Sequence, residues 1–157
     1  IGLTHTRAAG VLSTIGAVSM IGRFICGIAI DRMGSKMIMI GCFIILLASL
    51  VWLQFASSLW ALYLFGAVYG LAHGGFFTAI SPIVAEVFGL AAHGGIFGVV
   101  VFTGTVGGSI GPVLAGKMFD LMGSYDSVFL MITGMGTFSC LLMLLLSPLP
   151  VTKVSNA

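Results

Sequence analysis

Hydrophobic positions in this chain run in long blocks separated by short polar breaks. The blocks extend from about Ala8 to Ile30, Met37 to Ala56, Leu59 to Ala79, Gly95 to Met118 and Ser127 to Leu146. A helix needs about 20 apolar residues to cross the hydrocarbon core of a bilayer, and each block is that long. A lipid-facing backbone has to satisfy its own hydrogen bonds, so each block predicts a helix. The expectation is an all-α membrane protein with five transmembrane helices.

The breaks are short. Ser57-Ser58 joins the second and third blocks, which makes those helices antiparallel neighbours. Ser81-Pro82 interrupts the third block near its end; proline removes a helix hydrogen bond and predicts a stop or a kink, with Ile83 to Phe88 as the continuation beyond it. Gly123 to Asp126 forms a polar turn, and Ser147-Pro148-Leu149-Pro150 ends the last block.

Composition agrees. The chain is 59% hydrophobic and 6% charged, with a mean hydropathy of +1.23, whereas soluble domains carry about a quarter charged residues. So few charges cannot cover a globule of this size, which makes the chain an integral, multi-pass membrane protein in contact with lipid. The net charge of +2 is spread without a basic run, and no nucleic-acid partner is expected. Cys26, Cys42 and Cys140 fall inside apolar blocks without paired spacing, and read as small buried hydrophobes rather than disulfide or metal ligands. No metal or cofactor is expected.

Glycine is abundant and patterned. Gly66, Gly70 and Gly74 recur every fourth residue in the third block, as do Gly104 with Gly108 and Gly107 with Gly111 in the fourth. This spacing places small residues on one helix face, where backbones approach closely; the same faces also suit sliding or rocking during transport.

The stretch from Gly22 to Lys36 organises the rest. It carries one arginine, Arg23, well inside an apolar helix, and then a charged turn, Gly27-x-x-x-Asp31-Arg32-x-Gly34-x-Lys36. The turn resembles the loop signature of the major facilitator superfamily of secondary transporters, except that Met37 stands where that family often has a further basic residue. The segment Gly104-Thr105-Val106-Gly107-Gly108-Ser109-Ile110-Gly111-Pro112 through Asp120, continued by Met122 to Tyr125, resembles the eleventh helix of monocarboxylate-porter-like members. The third block with Ala85-Glu86-Val87-Phe88-Gly89 is similar to their tenth helix.

The resemblance implies that residues 1–157 are a partial carboxyl-terminal domain, helices eight to twelve of a twelve-helix bundle. The chain opens at Ile1 without an initiator methionine or a charged leader, so a missing amino-terminal part is expected as a partner. In such folds the site lies between two halves and access alternates by rocking. With the signature turn on the cytoplasmic side, Arg32, Lys36 and Lys153 lie there and Arg7 and Lys117 opposite, a small positive-inside bias. The plasma (inner) membrane is the expected location.

Arg23 is the leading site candidate. It lies about 7 residues, roughly 10 Å, inside the end of its block. A charge at depth is costly and marks a pathway unless it snorkels to the headgroups. The guanidinium fork matches a carboxylate, and the resemblance implies anion binding by this arginine. Several relatives have an aspartate one turn earlier, where this chain has Ser19, which puts proton coupling in question. Oxalate-exchanging relatives carry a second basic residue within the eleventh helix, whereas the fourth block here has none before Lys117, so the resemblance implies a monocarboxylate rather than a dicarboxylate.

His73 and Tyr69 complete the substrate-binding set. His73 suits either proton coupling or a hydrogen-bonded packing position. Phe76 and Phe77 suit either cavity lining or packing. His5 and His93 are expected at the interface. Gly27, Asp31, Arg32, Gly34, Lys36 and Glu86 form the expected gate, with Asp31 capping a neighbouring helix and Glu86 as partner to Arg32. Lys117 and Asp120 are spaced to pair at the opposite rim.

These features point to a transporter of a small organic anion, a monocarboxylate, with protons as a possible coupled ion. No HExxH, no GxSxG and no close acidic pair within a block occur, so catalysis is not expected. The alternative is a five-helix membrane subunit that acts through partner proteins, but it leaves Arg23 and the charged turn unexplained.

Overall fold

The computed structural model describes residues 4–146. Five helices follow in order: α1 (His5–Met33), α2 (Ser35–Phe55), α3 (Leu59–Phe88), α4 (His93–Met122) and α5 (Asp126–Leu145). All five are long and apolar enough to cross a membrane. The expected stop at Ser147 to Pro150, and Lys153, lie outside the described residues.

α2 and α5 have 21 and 20 residues, matching a hydrocarbon core of about 30 Å. α1, α3 and α4 have 29, 30 and 30, about 45 Å at helical rise, so their ends reach past the core. The proline in the third block does not end its helix: α3 runs through Pro82 to Phe88 without interruption. α4 likewise runs through Pro112.

Eight hydroxyls in the spans are satisfied locally, whereas the buried Thr133 Oγ1 has no partner among the described residues. Thr14, Ser49, Thr78, Thr103, Thr105, Ser109, Thr137 and Ser139 each donate to the carbonyl four residues earlier at 2.7–3.0 Å. In lipid this back-bonding removes the cost of an unpaired hydroxyl without any partner helix.

The charged turn is tighter than its sequence suggests. α1 continues through Asp31 and Arg32 to Met33, and α2 begins at Ser35, so Gly34 alone makes the reversal. Its φ of 87° is open to glycine at little cost, and its N–H donates to the Ile30 carbonyl at 2.9 Å. Ser58 caps α3 by accepting the Ala61 N–H at 3.2 Å.

α3 is the central helix. α1 runs parallel to it, joined by the α2 hairpin, and their seam is built on glycine. Gly66 lies against Val11, Gly70 against the Ile15 carbonyl, Gly74 against Ser19 and Arg23, and Gly22 of α1 against Leu71. A Cβ on Gly70 would stand 2.6 Å from the Ile15 oxygen, and one on Gly74 closer still to that of Ser19. The Gly66-Gly70-Gly74 stripe therefore packs backbone on backbone. Met39, Ala79 and Ile83 form a second cluster with Ile30, Phe43, Phe76, Val87 and Met143, uniting α1, α2, α3 and α5 near the signature turn.

α4 differs. None of its residues is buried, and Gly104, Gly107, Gly108 and Gly111 have nothing within 4 Å of where a Cβ would stand. Its equal glycine spacing meets no partner helix among the described residues.

Candidate functional site

Helical spacing on α3 puts Phe65, Tyr69, His73 and Phe77 on one face. They form a ladder with ring centroids 5.3, 5.6 and 4.9 Å apart, stacked between Tyr69 and His73 and edge to face between His73 and Phe77. Phe76 meets Phe77 edge to face at 5.7 Å and is braced by Phe43 of α2 at 5.2 Å. Phe65 extends the ladder beyond the residues named from sequence; its signal was the fourfold spacing of aromatic residues through Tyr69.

Arg23 arrives at the same level. Its backbone packs beside Gly74, next to His73, while its side chain is exposed on the open side of α1. His73 lies near the middle of α3, and its buried Nδ1 has no hydrogen-bond partner among the described residues. His73 stacks on Tyr69 next to the residue that meets the Arg23 backbone, which places the three at one level of the bundle. Ser19 is separated from them: it is 7% exposed and sits in the α1–α3 seam.

The ladder ends at an apolar cleft of about 510 Å³ between α3 and α4, lined by Phe76, Phe77, Ile80, Val100, Val101 and Thr105. A second apolar groove, of about 310 Å³, lies between α2 and α3 around Ile45, Trp52, Leu64 and Phe65. It contains no charged side chain, so it offers no counter-ion to an anion.

At the signature end, the expected partners are rearranged. Glu86 does not pair with Arg32: its Oε2 accepts from Ser35 Oγ at 2.5 Å, and Ser35 is fully buried. Arg32 lies in the last turn of α1, where a cation complements the exposed carbonyls. Asp31 does not cap α2, whose start has no side-chain cap. Lys36 Nζ donates to the Leu144 and Leu146 carbonyls at 3.0 and 2.6 Å, closing the carboxyl end of α5. Gly27 faces Thr78 of α3, 3.9 Å from where its Cβ would stand. This end is held by helix-terminus contacts rather than by ion pairs. Among the described residues no Lys or Arg nitrogen lies within 4.0 Å of a carboxylate, so Lys117 and Asp120 do not pair either.

His93 has a structural partner that its sequence position did not announce. Its Nε2 lies 3.2 Å from Ser81 Oγ, tying the start of α4 to α3, and its ring stacks on Phe97. His5 opens α1.

Comparison with known proteins gives these features a common setting. The family model of the Major Facilitator Superfamily matches residues 1–157. Monocarboxylate transporter 12 of Homo sapiens is 28% identical over 135 residues, which cover 83% of this chain and 26% of that protein. Monocarboxylate transporter 7 of Homo sapiens is 31% identical over 133 residues, or 82% and 25%. Monocarboxylate transporter 12 of Rattus norvegicus is 28% identical over 147 residues, or 91% and 30%. The chain therefore spans 25–30% of the length of these relatives. No solved structure matches it significantly. With five apolar spans, a signature turn folded on Gly34 and a family match along its whole length, the chain belongs to the major facilitator superfamily.

Proposed function

We propose that this chain is part of a secondary transporter that moves a small organic anion, a monocarboxylate, across the membrane by alternating access. The observation that carries this reading is Arg23, a permanent cation well inside an apolar helix, exposed at the level of His73 and Tyr69. A buried charge is stable only against a counter-charge or a water-filled path, and no carboxylate among the described residues lies within 4.0 Å of it. A substrate carboxylate is the natural partner: it meets the guanidinium fork with two charge-assisted hydrogen bonds, while the ladder accepts its apolar body.

In this reading the five spans are helices eight to twelve of a twelve-helix protein, in the plasma membrane. The opposite wall of the site belongs to the amino-terminal half, and rocking of the halves exposes Arg23 to each side in turn. The names of the matched relatives, all monocarboxylate transporters, support the substrate class. With Ser19 in the seam rather than an acid beside Arg23, His73 is the residue left to carry a proton. The five-helix subunit reading gives Arg23 no role.

The test is uptake of a labelled monocarboxylate by cells expressing the full-length protein. Arg23→Gln is expected to lower uptake at least 10-fold at unchanged surface abundance. Full uptake by this variant would remove Arg23 from the mechanism.

A further inference from the structure

Gly34 is the centre of the α1–α2 hairpin, and Cys26 and Cys42 lie equally far from it on either side. Residues equidistant from a tight antiparallel turn stand at the same level, and here both side chains also point at α3. Gly75 makes this possible. A Cβ on that residue would overlap Cys26 Sγ and stand 2.8 Å from Cys42 Sγ, so both sulfurs converge on the space that glycine leaves empty. Both thiols are free, and both are buried at 9% and 4% exposure. The third cysteine, Cys140, is on α5 and outside this pair.

We infer that Cys26 and Cys42 are an oxidisable dithiol site, at which a peroxide forms a disulfide that straps α1 to α2. The oxidant is small and uncharged, so an apolar surround does not exclude it. One sulfur, as the thiolate, attacks a peroxide oxygen; the O–O bond breaks, the sulfur becomes a sulfenic acid, and the other oxygen leaves as water with the thiol's proton. The second thiol then attacks that sulfur, the S–O bond breaks, and the hydroxyl leaves as water with the second proton. One peroxide is reduced to two waters as two thiols become one disulfide. Convergence of the side chains is what the bond requires. Cys26 follows Arg23 within one helical turn, so the strap fixes the part of α1 that carries the arginine. The inference stands whatever the protein transports.

The experiment uses the full-length protein in native membranes, treated with graded hydrogen peroxide, blocked with N-ethylmaleimide and digested without reductant. The expected product is a peptide containing Cys26 linked to one containing Cys42, seen by mass spectrometry and lost on adding dithiothreitol, with Cys140 recovered as its maleimide adduct. Either Cys26→Ser or Cys42→Ser should abolish the linked peptide. Phenylarsine oxide, which bridges two adjacent thiols with loss of water, should protect both cysteines from maleimide together in the native protein and neither in the single variants. Recovery of Cys26 and Cys42 only as separate adducts or separate sulfinic acids overturns the inference, as does a linkage through Cys140 or arsenical protection of one cysteine alone.

Discussion

α3 and α4 are both 30 residues long, both contain an internal proline, and both repeat glycine at fourfold spacing. Their surroundings are opposite. α3 buries Gly66, Gly70 and Gly74 in its seam with α1, whereas α4 buries nothing. A stripe of small residues is thus a licence for close approach and not evidence of it. What converts the licence into packing is a facing helix whose backbone arrives in register, as α1 does at Val11, Ile15 and Ser19. Lipid is as apolar as a leucine side chain, so fit rather than hydrophobicity selects the seam.

The sharpest way to break this contrast is a matched pair of substitutions in the full-length protein. Gly74→Ala drives a methyl into the Ser19 carbonyl and is expected to cost about 1–3 kcal/mol, the usual range for overpacking, read as a lowered thermal midpoint in detergent. Gly107→Ala adds its methyl to open space within this chain and is expected to leave the midpoint unchanged. Equal losses would mean that α4 is as tightly covered in the whole protein as α3 is here.

Next in size is the contact between Ser35 and Glu86, which ties α2 to α3 as the Ser81–His93 contact ties the start of α4 to it. A hydrogen bond to a charged group contributes about 1.5–3 kcal/mol. A double-mutant cycle of Ser35→Ala and Glu86→Gln should return a coupling near the lower limit, since Glu86 is exposed. No coupling, or full coupling between Arg32 and Glu86 instead, would restore the ion pair expected from the motif.

Lys36 bears on α5. Its bonds to the Leu144 and Leu146 carbonyls place a cation at a helix carboxyl end, worth about 0.3–1 kcal/mol. Lys36→Met should raise hydrogen exchange in the last turn of α5 while leaving α4 unaltered; an unchanged exchange rate in α5 would show the contact to be idle.

The smallest effect is expected on α4 itself. Thr103 back-bonds to Val99 on its own helix, so Thr103→Val should shift stability by less than about 0.5 kcal/mol, the range of substitutions away from packed features. A loss several times larger would reveal a partner for this face.

Much of the architecture was legible because lipid simplifies the problem. Block length specified five helices, four of them to within a few residues, while α3 runs on past Ala79 to Phe88, and the break at Gly34 placed the tightest turn. Arg23 was legible for the same reason, since one charge in an apolar block has few explanations. At Pro82 the sequence left a stop and a continuation to Phe88 both open, and the helix continues: in lipid no water competes for the freed backbone, and Thr78 hydrogen-bonds on its own helix one turn before it. The partner of Glu86 is Ser35 rather than the expected Arg32, because opposite charges near a turn suggest a pair, whereas the observed contacts depend on which way each helix end faces.

Sequence alone therefore determined the solvent this chain is built for, the number of its spans and the one charge that lipid cannot leave unpartnered. Each follows from composition along a line. Tertiary structure decided which of two similar glycine stripes is a seam, that Ser19 lies inside it while Arg23 faces out, and that Cys26 and Cys42 meet at Gly75. Those depend on the rotation and register of one helix against another, set by contacts between residues far apart in the chain.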